Sequence, residues 1–93
     1  MMSHKLKIAL AQLSPLVGDV DKNISKLIEI RSNLEKDIDI LVAPELYVSG
    51  YPIDDLVLRE DFLKSVDQGI KNLVSISKDN KSSIILGAPK KIR

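Results

Sequence analysis

The chain contains no cysteine and no tryptophan, and its aromatic residues are limited to Tyr47, Tyr51 and Phe62. The missing cysteine excludes a disulfide framework, a thiol nucleophile and thiolate metal ligands within these 93 residues. It also fits a cytoplasmic protein. Because aromatic side chains are so few, any hydrophobic core has to be built from aliphatic residues.

The charges are nearly balanced, with 14 basic and 13 acidic residues and a net charge of +1. Such a balance creates no field that would attract nucleic acid or a membrane surface. The basic residues Lys90, Lys91 and Arg93 are interpreted as a solvated chain end, because no aromatic residue or larger basic cluster joins them. No apolar run approaches the ~20 residues of a membrane span. We therefore expect neither nucleic acid nor a membrane as a partner.

Three segments have the pattern of strands that are apolar on both faces, which is typical of a parallel sheet covered on both sides. They are Lys5–Leu13, Ile38–Ala43 and Ser83–Leu86. Pro44 ends the second one, because proline removes a backbone donor from the ladder. The segments alternate with helical patterns, so the order predicts βαβαβ architecture with parallel, right-handed crossovers.

Two longer helices are predicted between the strands. Apolar residues at helical spacing follow Asp21, which we expect to be the N-cap of the first helix. The second helix is predicted from Glu60 to about Ser77, after a short helix that Asp54 or Asp55 begins and Leu58 ends. Two main helices on one face would leave the other face of the sheet open, as in a fragment or a sheet that needs a partner layer.

Glu45 is the first candidate for chemistry, because it directly follows the Pro44 that ends the second strand. Ligands of open α/β sheets bind in the crevice beyond the carboxyl ends of the strands. Partial burial there would suit a carboxylate to act as a base. The alternative is a surface carboxylate in a loop, and these residues alone do not decide between the two.

The other candidates have simpler structural interpretations. The neighbouring Asp54 and Asp55 are interpreted as helix caps, because adjacent side chains usually point apart. Ser49 lacks the frame of a nucleophile elbow, and the only histidine, His4, is near the chain start, so no serine triad is expected. No cluster of metal ligands and no nucleotide-binding glycine loop is present in the sequence. Tyr51 is a further candidate for the crevice, although a packed tyrosine is the alternative.

Two segments together resemble the carbon–nitrogen hydrolase (nitrilase) superfamily: KIALAQLSPLVGDVDKNISK and LVAPELYVSGYPIDDLVLREDF. Within that superfamily, the run GYPIDDLVLREDF is most similar to the glutaminase domain of glutamine-dependent NAD synthetases. The resemblance implies that residues 1–93 are the first third of an incomplete glutaminase domain. It also implies the fold class, which is the N-terminal βαβαβ portion of a nitrilase-type α-β-β-α sandwich.

The resemblance implies catalysis by a Glu–Lys–Cys triad that hydrolyses glutamine and supplies ammonia for NAD biosynthesis. By position, Glu45 matches the general base and Tyr51 matches a tyrosine beside the glutamine pocket. The lysine and cysteine positions lie beyond Arg93, so the chain alone is expected to be inactive. No metal or cofactor is implied for this chain, because ATP is used by the synthetase domain.

Three interpretations remain open. The chain is either an interrupted or excerpted part of an enzyme that works with the remainder of its domain in trans, or a non-catalytic remnant or interaction module. A fragment of another nitrilase-superfamily amidase is a further possibility. The open apolar sheet also predicts self-association.

Overall fold

The computed structural model describes residues 5–50, 59–79 and 81–89. The short helix expected between Asp54 or Asp55 and Leu58 lies outside the described residues. Within them, strands and helices alternate as the sequence predicts, and the α/β fold with a βαβαβ order is confirmed. The elements are β1 (Ile8–Leu10), α1 (Val20–Ser32), β2 (Ile40–Val42), α2 (Glu60–Ile76), a 3₁₀ turn (Ser77–Asp79) and β3 (Ser83–Ile85).

The three strands form a parallel sheet in the order β1-β2-β3, so β2 is the central strand. Leu41 of β2 lies opposite Ala9 on one side and Ile84 on the other. Each strand is only three residues long, shorter than its apolar segment in the sequence. The apolar pattern therefore extends beyond the residues that take part in the regular ladder.

The two faces of the sheet differ sharply in burial. One face, centred on the buried Leu41, packs against α1 and α2 and forms a mainly aliphatic core, to which Tyr47 and Phe62 also belong. The register places alternate strand residues on the opposite face, where Leu10 is 67% exposed. This open face consists of Ile8, Leu10, Ile40, Val42, Ser83 and Ile85. Both helices thus cover a single face, and the described chain leaves the other face open.

The N-cap of helix α1 lies two residues before the one predicted from the sequence. Its N-cap is Asp19, not Asp21, and the Asp19 carboxylate accepts a hydrogen bond from the Lys22 backbone N–H at 3.1 Å. The reason is a preceding turn in which the Asp19 N–H donates to the Leu16 carbonyl, so the chain already turns into the helix at this point. Asp21 lies in the first helical turn instead, where a negative charge is also favourable.

Helix α2 packs closely against α1 at Gly69. A Cβ atom at this position would lie 3.0 Å from Ile24 Cγ1 and 3.2 Å from Val20 Cγ1, so glycine lets the two helices approach. Phe62, Val66 and Leu73 bury the inner stripe of α2, as its spacing predicts. In the described segments neither helix is long and apolar enough to cross a membrane.

A buried arginine joins the C-terminal part of α1 to the start of β3. The Arg31 guanidinium, in a residue only 6% exposed, donates two hydrogen bonds to Asp79, at 3.0 and 2.8 Å. It also donates to the Ser82 carbonyl from Nε and Nη2, at 2.9 and 2.8 Å. The Ser82 hydroxyl in turn donates to the Ile38 carbonyl before β2. These bonds fix the amino ends of two strands relative to α1.

This arrangement predicts an acid-sensitive stability. The bonds from Arg31, and secondly the Lys81 backbone N–H, lower the pKa of Asp79 from 3.8 to about 2. A lowered folded-state pKa gives stability that is fully present above pH 3.8 and is lost as the pH falls through about 2. Asp79→Asn should therefore flatten the dependence of the unfolding free energy on pH in this window, as measured by urea denaturation.

The control for this measurement is Asp67→Asn, because Asp67 is exposed and pairs with Lys71 on the same helix surface. If the unfolding free energy of the wild-type chain and of Asp79→Asn depended on pH in the same way, the acid sensitivity would not come from Asp79.

Candidate functional site

The carboxyl ends of the three strands lie at one edge of the sheet. The parallel ladder continues there by one bond on each side, from the Ala11 N–H to the Val42 carbonyl and from the Ala43 N–H to the Ile85 carbonyl, both at 2.8 Å. Glu45 follows two residues after Ala43 and so projects from the carboxyl end of the central strand. This is the edge at which open α/β sheets bind ligands.

A tight turn follows the strand at Pro44. The Tyr47 N–H donates to the Pro44 carbonyl at 3.1 Å, and the Gly50 N–H donates to the Leu46 carbonyl at 2.8 Å. Leu46, between these bonds, has a φ of +52°. A left-handed conformation costs a residue with a side chain about 1–2 kcal/mol. The turn that carries Glu45 is therefore held in a strained conformation by its neighbours.

The side chains of this turn point in two directions. Tyr47, Val48 and Ser49 are buried, and Tyr47 is only 1% exposed. Burial raises the pKa of the Tyr47 phenol, because it penalises the charged form. Glu45 is exposed, so the partial burial considered for it from the sequence is wrong for the described chain. The reason is that residues 47–49 occupy the core below the turn, while none of the described elements covers its outer side.

Asn23 of α1 joins this turn to the segment that follows β1. It is 3% exposed, and its amide nitrogen donates to the Leu16 carbonyl at 2.8 Å and to the Val48 carbonyl at 3.1 Å. Its amide oxygen accepts from the Leu16 N–H, also at 2.8 Å. One buried side chain thereby satisfies three backbone groups from two different loops.

Gly50 brings the same two loops into direct backbone contact. Its φ is +80°, and a Cβ atom there would lie 2.6 Å from Val17 Cα and 2.9 Å from the Leu16 carbonyl oxygen. The Gly18 N–H donates to the Ser49 carbonyl across this contact, at 2.9 Å. Only glycine is compatible with both the backbone conformation and the space.

The remaining candidates are either structural or not described. The Ser49 hydroxyl lies 3.1 Å from the Gly50 carbonyl oxygen and 3.3 Å from that of Leu46, so it hydrogen-bonds within its own turn. Tyr51, Asp54, Asp55 and His4 lie outside the described residues, and the role expected for Tyr51 stays a prediction. In the described segments no three acidic or histidine side chains are grouped to hold a metal ion.

A pocket of about 380 Å³ lies between α1 and the segment that follows β1. Its lining includes Ser14, Lys22 and Lys26, together with the buried Asn23 and Tyr47. Glu45 does not line this pocket, so the cavity is separate from the exposed edge at which the carboxylate lies. We assign the pocket no role in the chemistry.

Comparison with known proteins gives the same family repeatedly. The glutamine-dependent NAD(+) synthetase of Thermotoga maritima is 34% identical over 84 residues, which is 89% of this chain and 15% of the relative. That of Acinetobacter baylyi is 38% identical over 71 residues, or 75% of this chain and 13% of the relative. That of Aquifex aeolicus is 32% identical over 84 residues, or 90% of this chain and 15% of the relative.

The chain is related in sequence to the glutamine-dependent NAD synthetases. The resemblance to glutamine-dependent NAD synthetases that its motifs indicate is thereby confirmed. No family model matches the chain. The chain spans about 15% of the length of the NAD synthetases that it matches. The relationship therefore concerns one small portion of such an enzyme.

Sequence reasoning missed two residues that organise the fold, Asn23 and Arg31. Both lie on the buried stripe of α1 together with Val20, Ile24 and Leu27. A polar residue at an apolar position of a helical pattern was the available signal, because a buried polar group requires hydrogen-bond partners. The left-handed conformation of Leu46 had no comparable signal in the sequence.

Removal of the Asn23 side chain should destabilise the chain strongly. Asn23→Ala leaves the Leu16 N–H and two carbonyl groups without their partner, so we expect a loss of about 2–4 kcal/mol in the free energy of unfolding. Asn33→Ala is the matched control, because Asn33 makes one exposed side-chain hydrogen bond, to the Glu29 carbonyl. Urea denaturation of both variants measures the difference, and equal losses would argue against the role given to Asn23.

Proposed function

We propose that this chain supplies the general base of a glutamine-hydrolysing site in a glutamine-dependent NAD synthetase. The observation that carries the proposal is the position of Glu45, at the carboxyl end of the central strand, in a turn held by hydrogen bonds on both sides. The sequence relationship to the NAD synthetases supports the same assignment. We further propose a cytoplasmic location and no cofactor for this portion, since ATP would be used by the synthetase domain.

In this proposal Glu45 takes the proton from a cysteine thiol of the remaining domain. The resulting thiolate attacks the side-chain amide carbon of glutamine, and a lysine stabilises the oxyanion that forms. Ammonia leaves with the proton that Glu45 received, and water then releases glutamate from the thioester. The ammonia would serve to amidate the nicotinate group of the NAD precursor.

The geometry of the described chain fits a base that is completed by another layer. Glu45 is exposed, and the neighbouring face of the sheet is apolar and open. A covering layer would exclude water from both features and place a nucleophile against the carboxylate. The chain contains neither the cysteine nor, in the expected position, the lysine, so we propose that it has no activity alone.

The proposal is tested with a chimera in which this chain replaces the matching 84-residue segment of the Thermotoga maritima enzyme. The chimera should release ammonia from glutamine, whereas the isolated chain should not. Glu45→Gln should lower the kcat of the chimera by about 10²–10⁴-fold, because an amide cannot accept the thiol proton. Glu35→Gln is the matched control, since Glu35 is exposed at the opposite end of the sheet and is expected to leave kcat unchanged.

Three results would contradict the proposal. The first is hydrolysis of glutamine by the isolated chain. The second is a chimera that keeps its rate after Glu45→Gln. The third is a chimera that has no activity although the parent enzyme is active.

A second candidate function is binding of another polypeptide by the open face of the sheet. The observation that favours it is the row of exposed aliphatic side chains, among them Ile8, Leu10 and Ile85. Exposed apolar patches of this kind mark association sites. In this reading the partner is either a second copy of the chain or the remainder of the domain, and Glu45 has no chemical part.

Leu10→Lys should disrupt such an association, because it places a charge on the open face at a residue that is 67% exposed. Light scattering during size-exclusion chromatography should give a mass above 10.3 kDa for the wild-type chain and the monomer mass for this variant. Val74→Lys is the control, since Val74 is similarly exposed on α2. Glu45→Gln should leave the association unchanged, and a wild-type monomer would contradict binding of a second copy.

A further inference from the structure

Leu46 has an unusual backbone conformation within the turn that carries Glu45. Among the described residues other than glycine, it alone has a positive φ, at +52°. It is also the residue that directly follows Glu45. Such strain persists only where the surroundings impose it, so the contacts around Leu46 should explain what holds it.

Gly87 supplies one of these contacts. It lies two residues beyond β3, and a Cβ atom at this position would lie 3.0 Å from the Leu46 nitrogen. The same atom would lie 3.7 Å from Glu45 Cα and 3.8 Å from the Glu45 carbonyl carbon. These neighbours are backbone atoms, which cannot rotate away as a side chain can. Glycine at position 87 therefore lets the end of β3 lie directly against the peptide that joins Glu45 to Leu46.

Hydrogen bonds hold the chain on either side of this peptide. Before it, the Ala43 N–H donates to the Ile85 carbonyl and keeps β2 beside β3. After it, the Tyr47 N–H donates to the Pro44 carbonyl and the Gly50 N–H to the Leu46 carbonyl. The chain is held on both sides of the peptide between Glu45 and Leu46, and Gly87 lies against that peptide. The turn therefore closes with Leu46 in the left-handed conformation.

We propose that Gly87 and Leu46 are positioning residues that together set the direction of the Glu45 side chain. The catalytic consequence of that direction rests on the function proposed above. A general base must lie within hydrogen-bond reach of the proton it takes, and a misplacement of about 1 Å can cost about 10²-fold in rate. A turn fixed from both sides would place the base before the substrate arrives.

The first test is spectroscopic and uses the isotopically labelled 93-residue chain. A positive φ gives Leu46 a strong NOE between its own amide and Hα protons. Gly87→Ala should weaken this NOE and shift the amide signals of Glu45 and Leu46. Gly69→Ala is the matched control, because its Cβ would meet flexible side chains between the helices rather than this turn. It should leave the Glu45 and Leu46 signals unchanged.

The second test uses the chimera and separates kcat from KM. Gly87→Ala should lower kcat by at least about tenfold and leave KM within about twofold, because it displaces the base and not the bound substrate. Leu46→Gly should lower kcat less than Leu46→Val does, since glycine adopts a positive φ readily, whereas a β-branched residue rarely adopts that conformation.

The outcomes distinguish this inference from the function on which it rests. Unchanged Glu45 and Leu46 signals in Gly87→Ala would overturn the positioning role, whatever the chimera does. Equal kcat values for Leu46→Gly and Leu46→Val would overturn the part assigned to Leu46. An inactive wild-type chimera would count against the proposed function alone, and the spectra would still decide the positioning role.

Discussion

The structure depends on one buried amide. Asn23 bonds to both backbone groups of Leu16 and to the Val48 carbonyl, and thereby joins the two loops that leave the carboxyl ends of β1 and β2. Buried backbone groups without partners are costly, so these loops have few other arrangements that satisfy the same atoms. The turn that carries Glu45 is fixed to helix α1 through this side chain, and the direct backbone contact at Gly50 joins the same two loops.

The same helix fixes the opposite end of the sheet. Arg31 lies eight residues after Asn23, about two helical turns along the same buried stripe, and bonds to Asp79 and Ser82 before β3. A helix of 13 residues therefore spans the sheet from one end to the other, with a polar side chain at each end. These side chains hold the strand ends on the covered face, while the part of the chain that the structure describes leaves the other face open. A small fold of this kind provides a defined edge on which a catalytic group can be placed.

Much of this fold was predictable from the sequence, and the failures have physical reasons. The doubly apolar strands and the helical spacing predicted the βαβαβ order, because burial dictates periodicity. The strands are shorter than their apolar segments, since burial does not require ladder pairing. Asp19 rather than Asp21 caps α1 because a tertiary turn at Leu16 decides where the helix starts. The place of Glu45 at the strand ends was predictable from Pro44, whereas its exposure depends on which layers are present. The strain at Leu46 arises from contacts distant in sequence.

The central claim is that the Glu45 carboxylate is placed to take a proton from sulfur. It is tested most directly by a crystal structure of the chimera with the complete glutaminase domain, in which the distance between a Glu45 carboxylate oxygen and the cysteine sulfur is measured. The account predicts roughly 3–3.5 Å, within reach of a hydrogen bond to the thiol. A Glu45 side chain that remains in bulk solvent, with the sulfur facing a different base, would contradict it.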